Sequence, residues 1–464
     1  MHKGIFYCFF FCKFDFLKKQ TMLWHIVKYY LCFIIAVFFK RSQIKNAHHL
    51  KIKGPIILAV NHPNGFMDPV ALSALAYPPK LLYLARGDAF KKGIITAILE
   101  SLGVIPIYRI QDGGKEGLKK NDASYERVKM LLSQNKKIMI FAEGLCIQER
   151  RLRPLKKGVP RMIMGSMESG KLDNLIVVPV GINYTDPSQF QSTIFCKIGE
   201  PIKMIDYIAA YKEAPAKTMN QFLADLAPRM KELIVNINDK HNEKVIEHIE
   251  EIYKYTYFKK HKLQPNNLEH DFIFSTKIVD VINKAEVTEP LKVKALQEKS
   301  THYLSELKKY NIKDWLLIPF KQSSINYLNF YLRLLLIVFT FPIYVRGLVA
   351  SYLPFKLTGM IVKKKVRIME FKASFYMGFG SILFLLYYIF QFFVVKALAP
   401  NAWWALLFLF VSVISSIFCL WLSPFRKKTF GMLRVIKMKS SNHKKHKDLL
   451  DQRKEIIKSF EELM

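Results

Sequence analysis

The sequence predicts an α/β domain with a mixed, mostly buried sheet flanked by helices, followed by a helical extension and a C-terminal transmembrane hairpin. Three observations carry this expectation. From about residue 50, short β-rich runs alternate with helical ones, the order expected of a sheet layered with helices. Residues 217–310 are polar and charged with a helical period, as in MNQFLADLAPRMKELIVNI. Ala373–Val395 and Ala402–Leu422 then run for 23 and 21 residues without a charge, long enough to cross a bilayer.

At the N-terminus, residues 1–45 predict an interfacial or re-entrant membrane anchor. The apolar run 5–39 is interrupted by Lys13, Asp15, Lys18, Lys19, His25 and Lys28, and its clean stretch, Tyr29–Phe39, is too short to span. Lys40 and Arg41 follow it in place of a small-residue cleavage site. Met22 is an alternative start. Residues 46–210 form the α/β domain. Its strands are expected at Ile56–Val60, Leu81–Ala85, Val104–Tyr108, Lys137–Phe141, Ile176–Val180 and Ile194–Ile198. Its helices are expected at Val70–Ala76, Gly93–Leu99, Asp122–Ser133 and Gly158–Glu168. Residues 211–320 are the helical extension.

Residues 321–425 are the membrane region. Segment 327–353 is apolar but holds Arg333, Pro342 and Arg346, and a full span would bury Arg346 at a cost of about 2 kcal/mol or more. It is therefore expected to be re-entrant or interfacial. The spans 373–395 and 402–422 carry Trp403, Trp404 and Trp421 near the ends of the second, and Lys363–Lys365, Arg367 and Arg426–Lys428 on their outer flanks. Basic flanks mark the cytoplasmic side, which makes the pair a hairpin. Residues 426–464 are a basic cytoplasmic tail.

Hydrophobic residues make up 51 % of the 464 residues, and the formal charge is +34. Such a balance favours anionic partners. The chain lacks zinc-finger spacing and a basic zipper, so a membrane surface and a phosphate-bearing substrate fit better than nucleic acid. The six cysteines are scattered, which suggests neither a disulfide framework nor a zinc site.

The chemistry-bearing signal starts where the first strand ends, in ILAVNHPNGFMDPVAL. His62 and Asp68 leave the strand on a Gly-containing loop. Neutral imidazole is suited to taking a hydroxyl proton near pH 7, and a carboxylate fixes its tautomer and stabilises the imidazolium. No Gly-x-Ser-x-Gly elbow is present, so an acyl-serine intermediate is not suggested. A lone His and Asp would read as ordinary loop residues, but three further stretches follow in order. GVIPIYRIQD ends a strand with Arg109. IMIFAEGLCIQERRLRPLKKG carries Glu143 and Gly144, then Arg150, Arg151, Arg153, Lys156 and Lys157. VVPVGINY holds Pro179. Arg and Lys after strand ends can neutralise a phosphate.

Together these four stretches, over about residues 50–205, resemble the blocks of the glycerophospholipid acyltransferase superfamily. The spacing of NHPNGFMDP, with IPIYRIQD, RPLKKG and VVPVGINY, is similar to its membrane-bound glycerol-3-phosphate/dihydroxyacetone-phosphate acyltransferase branch. The resemblance implies His62 as general base and Asp68 as its orienting partner. It implies Arg109 as a phosphate-binding residue, with Glu143 and Gly144 shaping the acceptor site; Arg150, Arg153 and Lys156 are expected on the acceptor side for the charge they carry after a strand end. Pro179 would lie near the acyl-donor site. The chain departs from the common pattern in three places. Five residues, not four, separate His62 from Asp68, Ala142 stands in place of Pro, and Leu145-Cys146 in place of a hydroxyl-bearing residue. Gly65 can absorb the extra residue.

The expectation is an O-acyltransferase of phospholipid biosynthesis, with acyl-CoA or acyl-ACP as co-substrate, a phosphate-bearing glycerol acceptor, and neither cofactor nor metal. The domain would face the cytoplasm, at a bacterial inner membrane or the endoplasmic reticulum. Two alternatives stand beside it: lysophosphatidate or another lysolipid as acceptor, and a non-catalytic membrane scaffold retaining the fold. Acyl-chain preference and oligomeric state are not legible.

Overall fold

The computed structural model describes residues 19–76, 80–87, 90, 93, 96, 99–100, 103–108, 110–168, 172–317 and 324–464. The chain divides into two compact units. One runs to Asn236 and includes Val366–Met377; the other comprises Ile237–Lys365 and Gly378–Met464.

Among the described residues, the first unit is built on an eight-stranded mixed sheet: β1 (Arg41–Lys45), β2 (Ile56–Val60), β3 (Leu81–Arg86), β4 (Val104–Ile107), β5 (Lys137–Phe141), β6 (Ile176–Tyr184), β7 (Thr193–Ile198) and β8 (Ile202–Lys203). Their order is β1-β7-β6-β2-β5-β3-β4, with β8 beside β6. Among the described strands, the pairings are parallel except β6 with β7 and β6 with β8. The central strand β2, IILAV, is buried at every residue. A strand covered on both faces reads as a continuous apolar run rather than an alternating one.

Helices cover both faces. Ile57, Ala59, Ile138, Ile140 and Val177 pack against α3 (Ile110–Ser133), α4 (Gly158–Met167) and α6 (Pro215–Lys231), while α5 (Ile205–Glu213) adds Tyr211. In α6, Pro at the first turn starts the helix, and Thr218, Phe222, Leu226 and Met230 form its buried stripe at a spacing of four. Ile56, Leu58, Val60 and Val180 pack against α1 (Lys19–Phe38) and α2 (Met67–Leu75), joined by Ala373.

Two expected boundaries move. β1, placed by the sequence in the anchor, is the edge strand of the sheet, paired with β7. The helices of 205–231 cover this sheet rather than opening a separate extension. The expected helix Gly93–Leu99 lies mostly outside the described residues.

The second unit is helical: α7 (Glu243–Lys260), α8 (Leu268–Thr288), α9 (Pro290–Lys309), α10 (Asp314–Leu317), α11 (Ser324–Lys365), most of α12 (Met369–Leu398), α13 (Ala402–Ser441) and α14 (His443–Glu461). Among the described residues, three helices are long and apolar enough to cross a membrane: Tyr327–Lys365, Met369–Leu398 and Ala402–Ser441. Segment 327–353, expected to be re-entrant or interfacial, therefore lies inside one continuous helix with no turn back. The arginine that argued against a span has partners: Arg346 donates to the Phe408 carbonyl and to Ser412 Oγ, each at 3.3 Å, and stacks over the Phe408 ring. Arg333 meets Phe425, and the backbone at Gly347 presses on Ser415, so α11 and α13 run in opposite directions.

Candidate active site

Three parallel neighbours, β5, β2 and β6, end at the same edge of the sheet, and their exits build the site. Loops at strand ends are where such sheets place their chemistry. Beyond Val60 the β2–β6 ladder is continued by side chains. Asn61 Nδ2 donates to the Ile182 carbonyl at 3.0 Å, and Ile182 N–H donates to Asn61 Oδ1 at 2.7 Å. The next residue is His62.

The chain turns through Pro63-Asn64-Gly65 and enters α2, which carries Asp68 in its first turn. Asp68 is completely buried. Its Oδ2 faces His62 Nδ1 at 2.8 Å and accepts from the Asn64 N–H at 2.8 Å; its Oδ1 accepts from the Tyr184 hydroxyl at 2.6 Å. The imidazole also stacks on Phe141, with centroids 3.7 Å apart and planes 16° apart. Nδ1 is thus engaged and one face of the ring covered.

Glu143 ties two loops together. It is buried, and its carboxylate accepts from the His62 N–H at 3.1 Å and the Arg153 N–H at 3.2 Å. Burial pushes its carboxyl up, and the two backbone donors oppose that shift. Gly144 follows at φ +66°, a left-handed angle glycine adopts without strain. Cys146 Sγ accepts from the Gly65 N–H at 2.9 Å, and burial pushes the thiol up, so it stays protonated.

A segment distant in sequence closes one side of the His62–Asp68 loop. Gly65 has φ +32°, and a Cβ there would sit 2.7 Å from Phe371 Cδ1 and 2.8 Å from the Glu370 carbonyl. Phe371 also contacts Phe66, with centroids 5.6 Å apart. Glu370 Oε1 lies 3.4 Å from the Gln148 N–H. Among the described residues, no cluster of three or more His, Cys, Asp or Glu side chains could hold a metal ion.

Residues 41–183 match the model of the family described as acyltransferase. This segment is an acyltransferase-family domain. It is similar to glycerol-3-phosphate O-acyltransferase 1 of Saccharomyces cerevisiae, 30 % identical over 132 residues, which cover 28 % of this chain and 17 % of the yeast protein. Glycerol-3-phosphate O-acyltransferase 2 of the same yeast is 29 % identical over 117 residues, covering 25 % and 16 %. The matches thus span less than a fifth of either yeast protein. The crystal structure of the 1-acyl-sn-glycerophosphate acyltransferase of Thermotoga maritima is also similar, at 16 % identity and a TM-score of 0.32, covering 47 % of this chain and 83 % of that one.

Within the acyltransferase domain, the sequence-predicted residues have four different placements. His62, Asp68, Glu143 and Gly144 come together. The basic run is partly neutralised by an acid of its own: Glu149 Oε2 lies 2.8 Å from both Arg151 Nε and Arg153 Nη2. Burial opposes ionisation of Glu149, but the two guanidinium groups together hold its carboxyl below the ordinary value. Arg150 is half-buried and Lys156 is exposed, its stem beside Gly144. Pro179 sits within the sheet opposite Ala59, three pairs short of Ile182 on β6, rather than on the loops that carry His62. Arg109 lies outside the described residues. Sequence reasoning missed Tyr184, Phe141, Asn64 and Phe371 as parts of the site. Asn64, Phe141 and Tyr184 stand inside the quoted stretches NHPNGFMDP, IMIFAEG and VVPVGINY, whereas Phe371 left no signal.

Proposed function

We propose that this chain is a membrane-bound O-acyltransferase that moves a fatty acyl group from an acyl thioester, on coenzyme A or acyl carrier protein, to a hydroxyl of glycerol-3-phosphate or dihydroxyacetone phosphate. The observation that carries this reading is the His62–Asp68 contact at 2.8 Å beneath a ring already fixed by Phe141. The acceptor hydroxyl gives its proton to His62 Nε2 as its oxygen bonds to the thioester carbonyl carbon. The tetrahedral adduct collapses, the C–S bond breaks, and the thiolate takes the proton from the imidazolium. The products are an ester and a free thiol, and His62 is neutral again. Asp68 holds the required tautomer and offsets the transient positive charge.

A phosphate on the acceptor suits Arg109 and the basic run Arg150–Lys157, because charge-assisted contacts would fix the hydroxyl beside Nε2. Glycerol-3-phosphate is favoured by the names of the two yeast relatives. The basic flanks of the apolar helices favour a cytoplasmic catalytic face.

The test is acyl transfer by the purified full chain, with glycerol-3-phosphate and lysophosphatidate in competition. His62→Ala should lose about a hundredfold to ten-thousandfold in turnover, and Asp68→Asn should be severely impaired. Near-normal turnover by His62→Ala would sink the mechanism. A clear preference for lysophosphatidate would keep the enzyme class and overturn the acceptor.

A further inference from the structure

We infer that Tyr184 is a positioning residue of this site: its buried hydroxyl, bonded to Asp68, sets how firmly the carboxylate holds the His62 imidazole. The inference rests on the reading of His62 as the base.

Tyr184 ends β6, two residues beyond the Asn61–Ile182 exchange that locks β6 to β2. Its hydroxyl therefore arrives from a rigid strand rather than a loop, the kind of support that keeps a reactive group within a fraction of an ångström. It bonds Asp68 Oδ1, the oxygen opposite the one on His62, so it fixes rotation of the carboxylate about its own bond. It also shares the charge. His62, the Asn64 N–H and the Tyr184 hydroxyl all draw on one carboxylate that is closed to solvent. Each additional donor leaves less of the negative charge for the imidazolium. A buried tyrosine commonly satisfies its hydroxyl on any nearby acceptor. Here the acceptor is the carboxylate that orients the base.

The other groups facing the pair are Cys146, from the exit of β5, and Cys196 of β7, with Glu143 facing His62 and Glu370 facing Cys146. Burial, then the charge of Asp68, push the Tyr184 phenol and the Cys196 thiol up, and burial does the same to Cys146, so all three stay neutral at physiological pH. Glu143, whose carboxyl burial pushes up, faces the base from the exit of β5 through the His62 N–H. Removing a donor from Asp68 makes the pair hold its proton more tightly. The base then stays protonated to a higher pH, and the acid limb of the rate profile moves up.

The experiment compares wild type and Tyr184→Phe, as full chains in detergent, with acyl-CoA and glycerol-3-phosphate from about pH 5 to 9. The expected result is a loss of about tenfold in kcat, KM values changed by less than about twofold, and an acid limb raised by about half a pH unit. In an Asp68→Asn background the same substitution should cost less than about twofold, because the carboxylate through which it acts is gone. An unmoved acid limb overturns the inference. So does an equal loss in both backgrounds, or a loss that only tracks a lowered thermal transition. No transfer by wild type to either acceptor overturns the proposed function, and the inference with it.

Discussion

Glu143 shows how one buried carboxylate can tie two strand exits together. It spends both oxygens on backbone N–H groups, those of His62 and Arg153, and so holds the exits of β2 and β5 at a fixed separation. Glutamine has the same shape but replaces one acceptor with a donor, which would face an N–H. Glu143→Gln should therefore destabilise the protein by about 1–3 kcal/mol and lower kcat more than it raises KM. A denaturant midpoint and steady-state rates check this, and an unchanged kcat would show that the clamp does not position His62. The pH dependence has a definite sign. Burial raises the folded carboxyl above its ordinary value, so the folded state binds more protons and this contribution to stability is lost as pH rises through the raised value. The Gln variant should lack that component.

Strands buried on both faces were legible because they are uninterrupted. IILAV, bounded by Pro55 and Asn61, and KIMIF, preceded by Asn135-Lys136 and followed by Ala142-Glu143-Gly144, have the bounds the sequence predicts. β1 was not, because RSQIK is polar and half-buried at every position, as an edge strand can be. α3 starts at Ile110, not Asp122, because Gly113, Gly114 and Gly117 weaken helix propensity where the chain is helical all the same. Within the site, His62 and Asp68 announced themselves as polar groups at the end of an apolar run. Phe371 did not, since its contact with Gly65 is made only by folding. The element holding that contact, the loop from His62 to α2, yields a test. Gly65→Ala must place a Cβ within 2.8 Å of both Phe371 and the Glu370 carbonyl, at φ +32°. Activity should fall by about tenfold or more, with part of it restored by Gly65→Ala in combination with Phe371→Ala. Rates of the two variants decide it, and full activity of Gly65→Ala alone would mean that the segment yields freely.

At the scale of the whole molecule, the helical unit is fastened by a buried ion pair between segments distant in sequence. Arg453 of α14 donates to Asp314 Oδ1 at 2.9 Å and to the Ile252 carbonyl at 2.6 Å, and the Tyr303 hydroxyl donates to Asp314 at 2.7 Å. Burial pushes the Asp314 carboxyl up, and Arg453 opposes that shift. Arg453→Met should cost about 3–5 kcal/mol, since it strands a buried charge. The loss should shrink as pH falls, because a protonated Asp314 no longer needs the cation. Thermal transitions near neutrality and in mild acid test this, and an equal loss at both would contradict it. The first unit has a different consequence. Its polypeptide departs at Asn236 and comes back at Val366 to lay Phe371 beside Gly65 and Ala373 in the core. A module assembled from two stretches of chain is not cut out whole by one pair of breakpoints. Moving His62 and Asp68 with the chain up to Asn236 alone would leave behind the wall that Phe371 and Glu370 lay against Gly65, so a transplant needs residues 366–377 supplied as a second piece.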